Sequence, residues 1–131
     1  MDRTFPGDPF YDREVKESIR AICRAYVWRN PVVGYSQGMN YLVFRIRKFL
    51  SEEDTFWMFC LLVESYLPPD FYADLFGARV HFKILMQMLE QYNFLPEVIK
   101  KLDSLDYPLS NLVCQFYLSL FTSCLPEQVS L

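Results

Sequence analysis

From residue 12 onward the apolar and polar positions recur with the period of a helix. Val15, Ile19, Ile22, Cys23, Tyr26 and Val27 fall at i, i+4, i+7, i+8, i+11 and i+12, which is one face of an amphipathic helix. Asn30-Pro31 ends it, because a proline ring pushes the preceding residue out of the helical region. A short connector, Val32-Val33-Gly34, leads to a second helix over 37–50. Ser51 followed by Asp54 reads as an N-cap with an acidic first turn, opening a third helix that runs to residue 66. Pro68-Pro69 stops that helix, and Asp70 is placed to cap a further short one. Val80, Ile84, Leu85, Met88, Leu89 and Tyr92 repeat the helical spacing. Pro96 is suited to begin the next helix, carrying Val98, Leu102 and Leu105, and Tyr107-Pro108 breaks it. A strongly apolar final helix is expected over 112–121. Before residue 12, Pro6, Gly7 and Pro9 make a stiff, extended lead-in. No sustained period-two alternation and no Asn-Gly or Asp-Gly hairpin signal occurs. The expected fold is all-α, one irregular domain of six or seven helices spanning 1–131.

Composition narrows the function classes. The chain has 131 residues with 13 basic and 16 acidic side chains, a formal charge of −3, so it carries no basic footprint for nucleic acid or anionic lipid. Its longest unbroken apolar run, Phe56 to Val63, is eight residues, against the roughly 20 needed to span a bilayer. The first residues are polar and then proline-broken, which is not the pattern of a signal peptide. One feature is awkward: twelve Phe, nine Tyr and two Trp are more than a domain this small buries comfortably. Either some aromatics form a binding surface or the chain is part of something larger.

The four cysteines (Cys23, Cys60, Cys114 and Cys124) include no C-x-x-C pair, and His81 is the one histidine, so zinc-type ligand spacing is absent. Each cysteine sits in an apolar run, and four reduced, buried thiols are expected. His81, between Val80 and Phe82, is expected to be a packed or half-exposed structural residue. There is no phosphate-cradling glycine loop, H-E-x-x-H, G-x-S-x-G or calcium loop, and no internal nucleophile and base to support a self-contained hydrolase. Glu52, Glu53 and Asp54 cluster where a helix start accounts for them.

Two segments stand apart. Arg3-Thr4-Phe5-Pro6 places an arginine at the root of a proline-stiffened loop. Asn30-Pro31-Val32-Val33-Gly34-Tyr35-Ser36-Gln37-Gly38-Met39-Asn40 turns into a helix through two glycines, with Tyr35 and Gln37 as polar groups on an otherwise apolar stretch. Gly34 and Gly38 permit torsions or close approaches that a side chain would obstruct.

The stretch 25–40, with its Asn30-Pro31, Gly34-Tyr35, Gln37-Gly38-Met39-Asn40 sequence, resembles the signature of the TBC domain, the catalytic domain of Rab GTPase-activating proteins. Arg3-Thr4-Phe5-Pro6 is similar to the R-T-x-P that closes that family's I-x-x-D-x-x-R motif, and the spacing between the two segments also resembles the family's. Glu53-Asp54-Thr55-Phe56-Trp57, Gln115-Phe116-Tyr117-Leu118-Ser119-Leu120-Phe121 and Leu125-Pro126 extend the likeness over nearly the whole chain. Departures exist: Phe116 stands where many relatives have tryptophan, and Ser36 where cysteine is common. The isoleucine and aspartate of the first motif are missing, and the family continues beyond residue 131 into further helices. The resemblance therefore implies the N-terminal and central part of a TBC domain, truncated at both ends.

What the resemblance implies about function is specific. A Rab-family small GTPase is the expected partner, and the GTP and Mg²⁺ are its own, so this chain needs no cofactor. Arg3 would be an arginine finger and Gln37 a glutamine finger acting in trans, with Tyr35, Gly34, Gly38, Thr4 and Pro6 supporting the finger loops or touching the GTPase. The expected location is cytoplasmic, at endomembranes through the Rab. The alternative is a catalytically silent TBC-like module that binds a small GTPase or scaffolds a complex.

Overall fold

The computed structural model describes residues 8–68, 70–107 and 109–125. Among them the structure is all-helical, with six α-helices, one π-helical turn, one 3₁₀ turn and no strand. The periodic stretch after Asp12 is α1 (Arg13–Arg29), capped by the Asp12 carboxylate, which accepts from the Val15 N–H at 2.8 Å. All of the predicted stripe is buried except Val27, which is half-buried. The helix ends at Asn30, whose N–H still reaches the Tyr26 carbonyl at 2.8 Å.

The second helix is shorter than its sequence pattern. It is α2 (Met39–Arg47), not 37–50: Gly38 takes a positive φ of 112°, which delays the start and leaves Gln37 outside the helix. Arg47 folds back to donate to the Leu50 carbonyl at 2.8 Å. Ser51 caps α3 (Glu52–Leu61) as expected, accepting from the Asp54 N–H at 3.1 Å. The expected continuation to residue 66 holds as helix but not as α-helix, because Leu62–Tyr66 form a π turn closed by the Leu67 N–H on the Leu62 carbonyl. Arg29 of α1 pairs with Glu64 in that turn at 3.0 Å.

Beyond Pro68 the differences are larger. Asp70 caps no helix; it sits at a φ of 60°, and its carbonyl accepts from the Gly77 N–H across a compact turn. Inside that turn lies the 3₁₀ segment Ala73–Leu75, followed by α4 (Phe76–Gln91) and α5 (Pro96–Ser104), which begins at Pro96 as its sequence predicts. The last helix, α6 (Leu109–Leu118), starts and stops three residues earlier than the expected 112–121. Leu120 and Phe121 take left-handed φ values of 48° and 62°, and the Phe121 N–H turns back onto the Phe116 carbonyl at 2.7 Å.

The core is a single cluster built mostly from α1, α2 and α3, with Phe71, Tyr72 and Ala78 joining it from the turn before α4. Tyr26, Ile22, Met39, Val43, Phe44 and Phe59 are fully enclosed. Burying each large apolar side chain contributes roughly 1.5–3 kcal/mol, so this cluster dominates the stability of the fold. Tyr26 packs edge-on against Phe59 with centroids 5.0 Å apart, and Tyr11 against Phe44 at 5.4 Å.

The thiols do not share one environment. Cys23 and Cys60 are buried, but Cys114 and Cys124 are exposed, because the apolar run around α6 is not enclosed on all sides. His81 is half-buried and its Nδ1 lies 3.1 Å from the Tyr117 hydroxyl, a structural contact. Among the described residues, no helix is long and apolar enough to cross a membrane.

Candidate functional site

The segment between α1 and α2 is shaped by local hydrogen bonds. Asn30 holds its first turn twice: its carbonyl accepts from the Gly34 N–H at 3.0 Å, and its Oδ1 from the Val33 N–H at 3.3 Å. Gly34 closes that turn at a φ of 64°; an added Cβ would meet only the Pro31 carbonyl at 3.9 Å, so the torsion rather than the space calls for glycine. Tyr35 then lines an open cavity of about 290 Å³ beside α1, together with Glu17, Arg20, Cys23, Arg24 and Val27. Its hydroxyl donates to Asn40 Oδ1 at 3.3 Å, which ties the loop to the first turn of α2. Partial burial of the phenol raises its pKa above the ordinary value of 10.0, so Tyr35 acts as a neutral hydrogen-bonding group.

Gln37 follows at the crest of the loop. It is exposed, and among the described residues its amide makes no hydrogen bond. It borders an open cleft of about 340 Å³ whose other walls are Gly38, Tyr41 and, from α6, Asn111, Cys114, Gln115 and Leu118. The next residue explains how the loop sits there. Gly38 rests on the peptide that ends α6: an added Cβ would lie 2.6 Å from the Leu118 carbonyl oxygen and 3.1 Å from the Ser119 nitrogen. Such distances are well inside van der Waals contact, and the φ of 112° is itself a glycine conformation. The close approach that this glycine permits is therefore to another part of the same chain.

The end of α6 is correspondingly well tied. Ser119 is completely buried, and its hydroxyl donates to the Phe116 carbonyl at 2.9 Å. Thr122 donates through its hydroxyl to the Ser119 carbonyl at 2.6 Å, and Arg45 of α2 reaches the carbonyls of Thr122 and Leu125 at 3.3 Å each. Tyr72, from the turn before α4, donates to the Leu118 carbonyl at 2.6 Å.

Of the residues singled out in the sequence, Tyr35, Gly34, Gln37 and Gly38 are thus in one loop, with Gln37 presented to solvent. Arg3, Thr4, Phe5 and Pro6 lie outside the described residues. The α6 side of the cleft was not anticipated. Asn111 and Gln115 lie at i and i+4, two amides on one face of an otherwise apolar helix, and that spacing was the available signal. Tyr72 gave none, since one tyrosine among nine is not distinguished by its neighbours. Among the described residues no group of three or more His, Cys, Asp or Glu side chains is arranged to hold a metal ion.

The arrangement defines an all-helical module that projects one glutamine from a loop pinned at both ends, beside a cleft lined by further amides. Comparison with known proteins agrees with it. The sequence model of the Rab-GTPase-TBC domain matches residues 1–131, and the chain belongs to that family, whose members are generally Rab GTPase-activating proteins. It is 34% identical over 106 residues to small G protein signaling modulator 3 of Rattus norvegicus, a match covering 80% of this chain and 14% of that protein. It is 36% identical over 93 residues to TBC1 domain family member 2B of Mus musculus, covering 68% of this chain and 10% of the relative. The chain thus spans a tenth to a seventh of the length of these relatives. No solved structure matches it.

Proposed function

We propose that this chain accelerates GTP hydrolysis by a Rab-family small GTPase, supplying Gln37 and Arg3 in trans. The observation that carries the reading is the exposed Gln37, presented beside an open cleft by a loop that its neighbours fix on both sides.

The chemistry follows from what a small GTPase lacks alone. Charge spreads over the γ-phosphoryl oxygens as the bond to the leaving oxygen loosens, and the attacking water is poorly held. A carboxamide serves both needs, because its oxygen accepts from the water while its NH₂ donates to phosphate oxygen. The backbone that carries Gln37 costs little ordering entropy on docking, since Gly38 is already seated on α6 and Asn30 has already closed the turn before it. Arg3 would contribute a planar, permanently charged fork able to bridge two phosphate oxygens, worth roughly 10³ to 10⁵ in rate for such fingers. The nucleotide and Mg²⁺ belong to the GTPase as substrate and its ion.

The test is single-turnover hydrolysis by a panel of GTP-loaded Rab proteins, with and without this chain. Stimulation of at least one Rab is expected, falling by roughly 10²–10³ in Gln37→Ala, as for removal of a single positioned transition-state donor. Arg3→Lys should lose most of the stimulation because a point charge does not reproduce the fork. Binding to a Rab with no change in rate would instead assign the chain as a catalytically silent module.

A further inference from the structure

The carbonyls at the end of α6 are satisfied locally with one exception. The Gln115 carbonyl takes the Ser119 N–H, that of Phe116 takes the Phe121 N–H and the Ser119 hydroxyl, that of Tyr117 takes the Leu120 N–H, and that of Ser119 takes the Thr122 N–H and hydroxyl. The Leu118 carbonyl is held by the Tyr72 hydroxyl, 46 residues away in sequence, at 2.6 Å. A helix leaves its last carbonyls without internal partners, so a donor brought from elsewhere fixes both the position and the tilt of that peptide. Tyr72 is itself buried and immobilised, with Phe71 edge-on to its ring at 4.9 Å and the Asp70–Gly77 hydrogen bond closing the turn around it. The same Leu118 oxygen is the atom against which Gly38 rests. Gly38 is the residue after Gln37, and its φ and ψ set the direction in which the Gln37 peptide leaves α2.

We infer that Tyr72 is a positioning residue for Gln37: its hydroxyl fixes the Leu118 carbonyl, and that carbonyl forms the seat of Gly38 and so aims the glutamine. Tyr72 touches neither nucleotide nor GTPase in this role; it acts through one peptide group. Removing the hydroxyl leaves the ring in the core but frees the Leu118 peptide to tilt, and Gln37 then samples directions in which its amide does not meet the water and the phosphate together.

The inference rests on the role proposed above for Gln37, and two measurements on the full chain separate the two. The first is hydrogen–deuterium exchange of the free protein. Tyr72→Phe should speed exchange several-fold across residues 36–41 while leaving the α1 amides unchanged. Unaltered exchange over 36–41 overturns the inference, whether or not the chain stimulates any Rab. Faster exchange throughout α1 as well would mean a general loss of packing, and that also overturns it. The second is single-turnover hydrolysis with a Rab that responds to the unaltered chain. Tyr72→Phe should lower the maximal rate by roughly 2- to 10-fold, the size expected for one hydrogen bond, with the half-saturating concentration unchanged. In the Gln37→Ala background it should have no further effect. An equal loss in both backgrounds overturns the inference, because a merely structural tyrosine would lower both alike. A chain that stimulates no Rab overturns the functional reading and leaves exchange over 36–41 to decide the role of Tyr72. Gly38→Ala, which pushes on the same carbonyl, should reproduce the exchange pattern, and its effect should not add to that of Tyr72→Phe.

Discussion

The two halves of this molecule obtain their helices by different means. In α1 to α3 the apolar stripes face one another, the enclosed residues are large, and positive φ among the described residues occurs only at Gly34 and Gly38. From residue 70 onward seven non-glycine residues among those described adopt positive φ (Asp70, Leu75, Asn93, Leu95, Asp106, Leu120 and Phe121), and the apolar stripe of α4 stays largely open, with Phe76, Val80, Ile84 and Met88 all exposed. One half is held by burial, whereas the other buries less and carries turns that cost conformational energy. The Gln37 loop belongs to the first half in sequence yet sits on the end of α6, which belongs to the second. The glutamine therefore takes part of its positioning from the other half, through the buried end of α6.

The sharpest way to expose that contrast is truncation of one enclosed and one exposed apolar side chain. Phe44→Ala empties a site that is completely enclosed and packed by Tyr11 and Phe10, and it should cost about 3–5 kcal/mol. Ile84→Ala removes a side chain that is 50% exposed, and it should change stability by less than about 0.5 kcal/mol. Denaturant titration of the two variants decides the point. Comparable losses would mean that the α4 stripe is covered in solution and that the two halves are packed alike.

That stripe also shows where reading a sequence stops. Val15, Ile19 and Ile22 in α1 (i, i+4, i+7) and Val80, Ile84 and Met88 in α4 (i, i+4, i+8) each run along one helical face, but the first set is buried and the second exposed. Periodicity reports which face is apolar and is silent about whether anything covers it. Local chemistry was legible where one residue suffices: Ser51 as a cap, Pro96 as a helix start, and Asn30-Pro31 as a stop. Asp70 failed as a predicted cap because its left-handed backbone is stabilised by the Gly77 N–H, a contact across a turn. The loop carrying Tyr35 and Gln37 was recognisable from its residues, whereas its seat was not. The seat is the Leu118 peptide, and a backbone carbonyl has no identity that a sequence can display. The surplus of aromatics has its counterpart in the fold: Trp28 is 86% exposed, Phe116 and Tyr117 are half-buried, and Phe121 is 37% exposed near the open face of α6.

A second test acts on the cost of the turns. Leu95 holds a φ of 54°, is 59% exposed, and precedes Pro96, while its carbonyl accepts from the N–H groups of Val98 and Ile99 at the start of α5. A leucine side chain gains little there and opposes the torsion, and glycine is also an acceptable residue ahead of a helix. Leu95→Gly should therefore stabilise the chain by about 0.5–1 kcal/mol, net of the entropy that glycine adds to the unfolded state. Thermal unfolding monitored by circular dichroism reads this directly. A loss of stability would show that Leu95 is packed and that its turn is not under strain.

The smallest effect expected concerns the edge of the well-packed half. Asp8 pairs with Lys48 at 2.8 Å and accepts from the Phe10 N–H at 2.9 Å, while Lys48 lies 5.2 Å from the Phe44 ring centroid. Partial burial works to raise the Asp8 pKa, but the lysine ammonium and the backbone donor outweigh it, and the carboxyl ends below its ordinary value of 3.8. A carboxyl that is more acidic folded than unfolded stabilises the protein above the unfolded value and loses that contribution as pH falls through the folded one. Asp8→Asn should cost less than about 1 kcal/mol at pH 7, because the pair is partly solvated. The gap between the two proteins should be flat from neutral pH down to about 5 and close below 3.8. Urea titrations of both proteins over that range measure it. A gap that persists unchanged at the acidic end, where the Asp8 carboxyl is neutral, would mean that the difference between the two side chains does not come from its charge, and that charge adds nothing to a half already secured by burial.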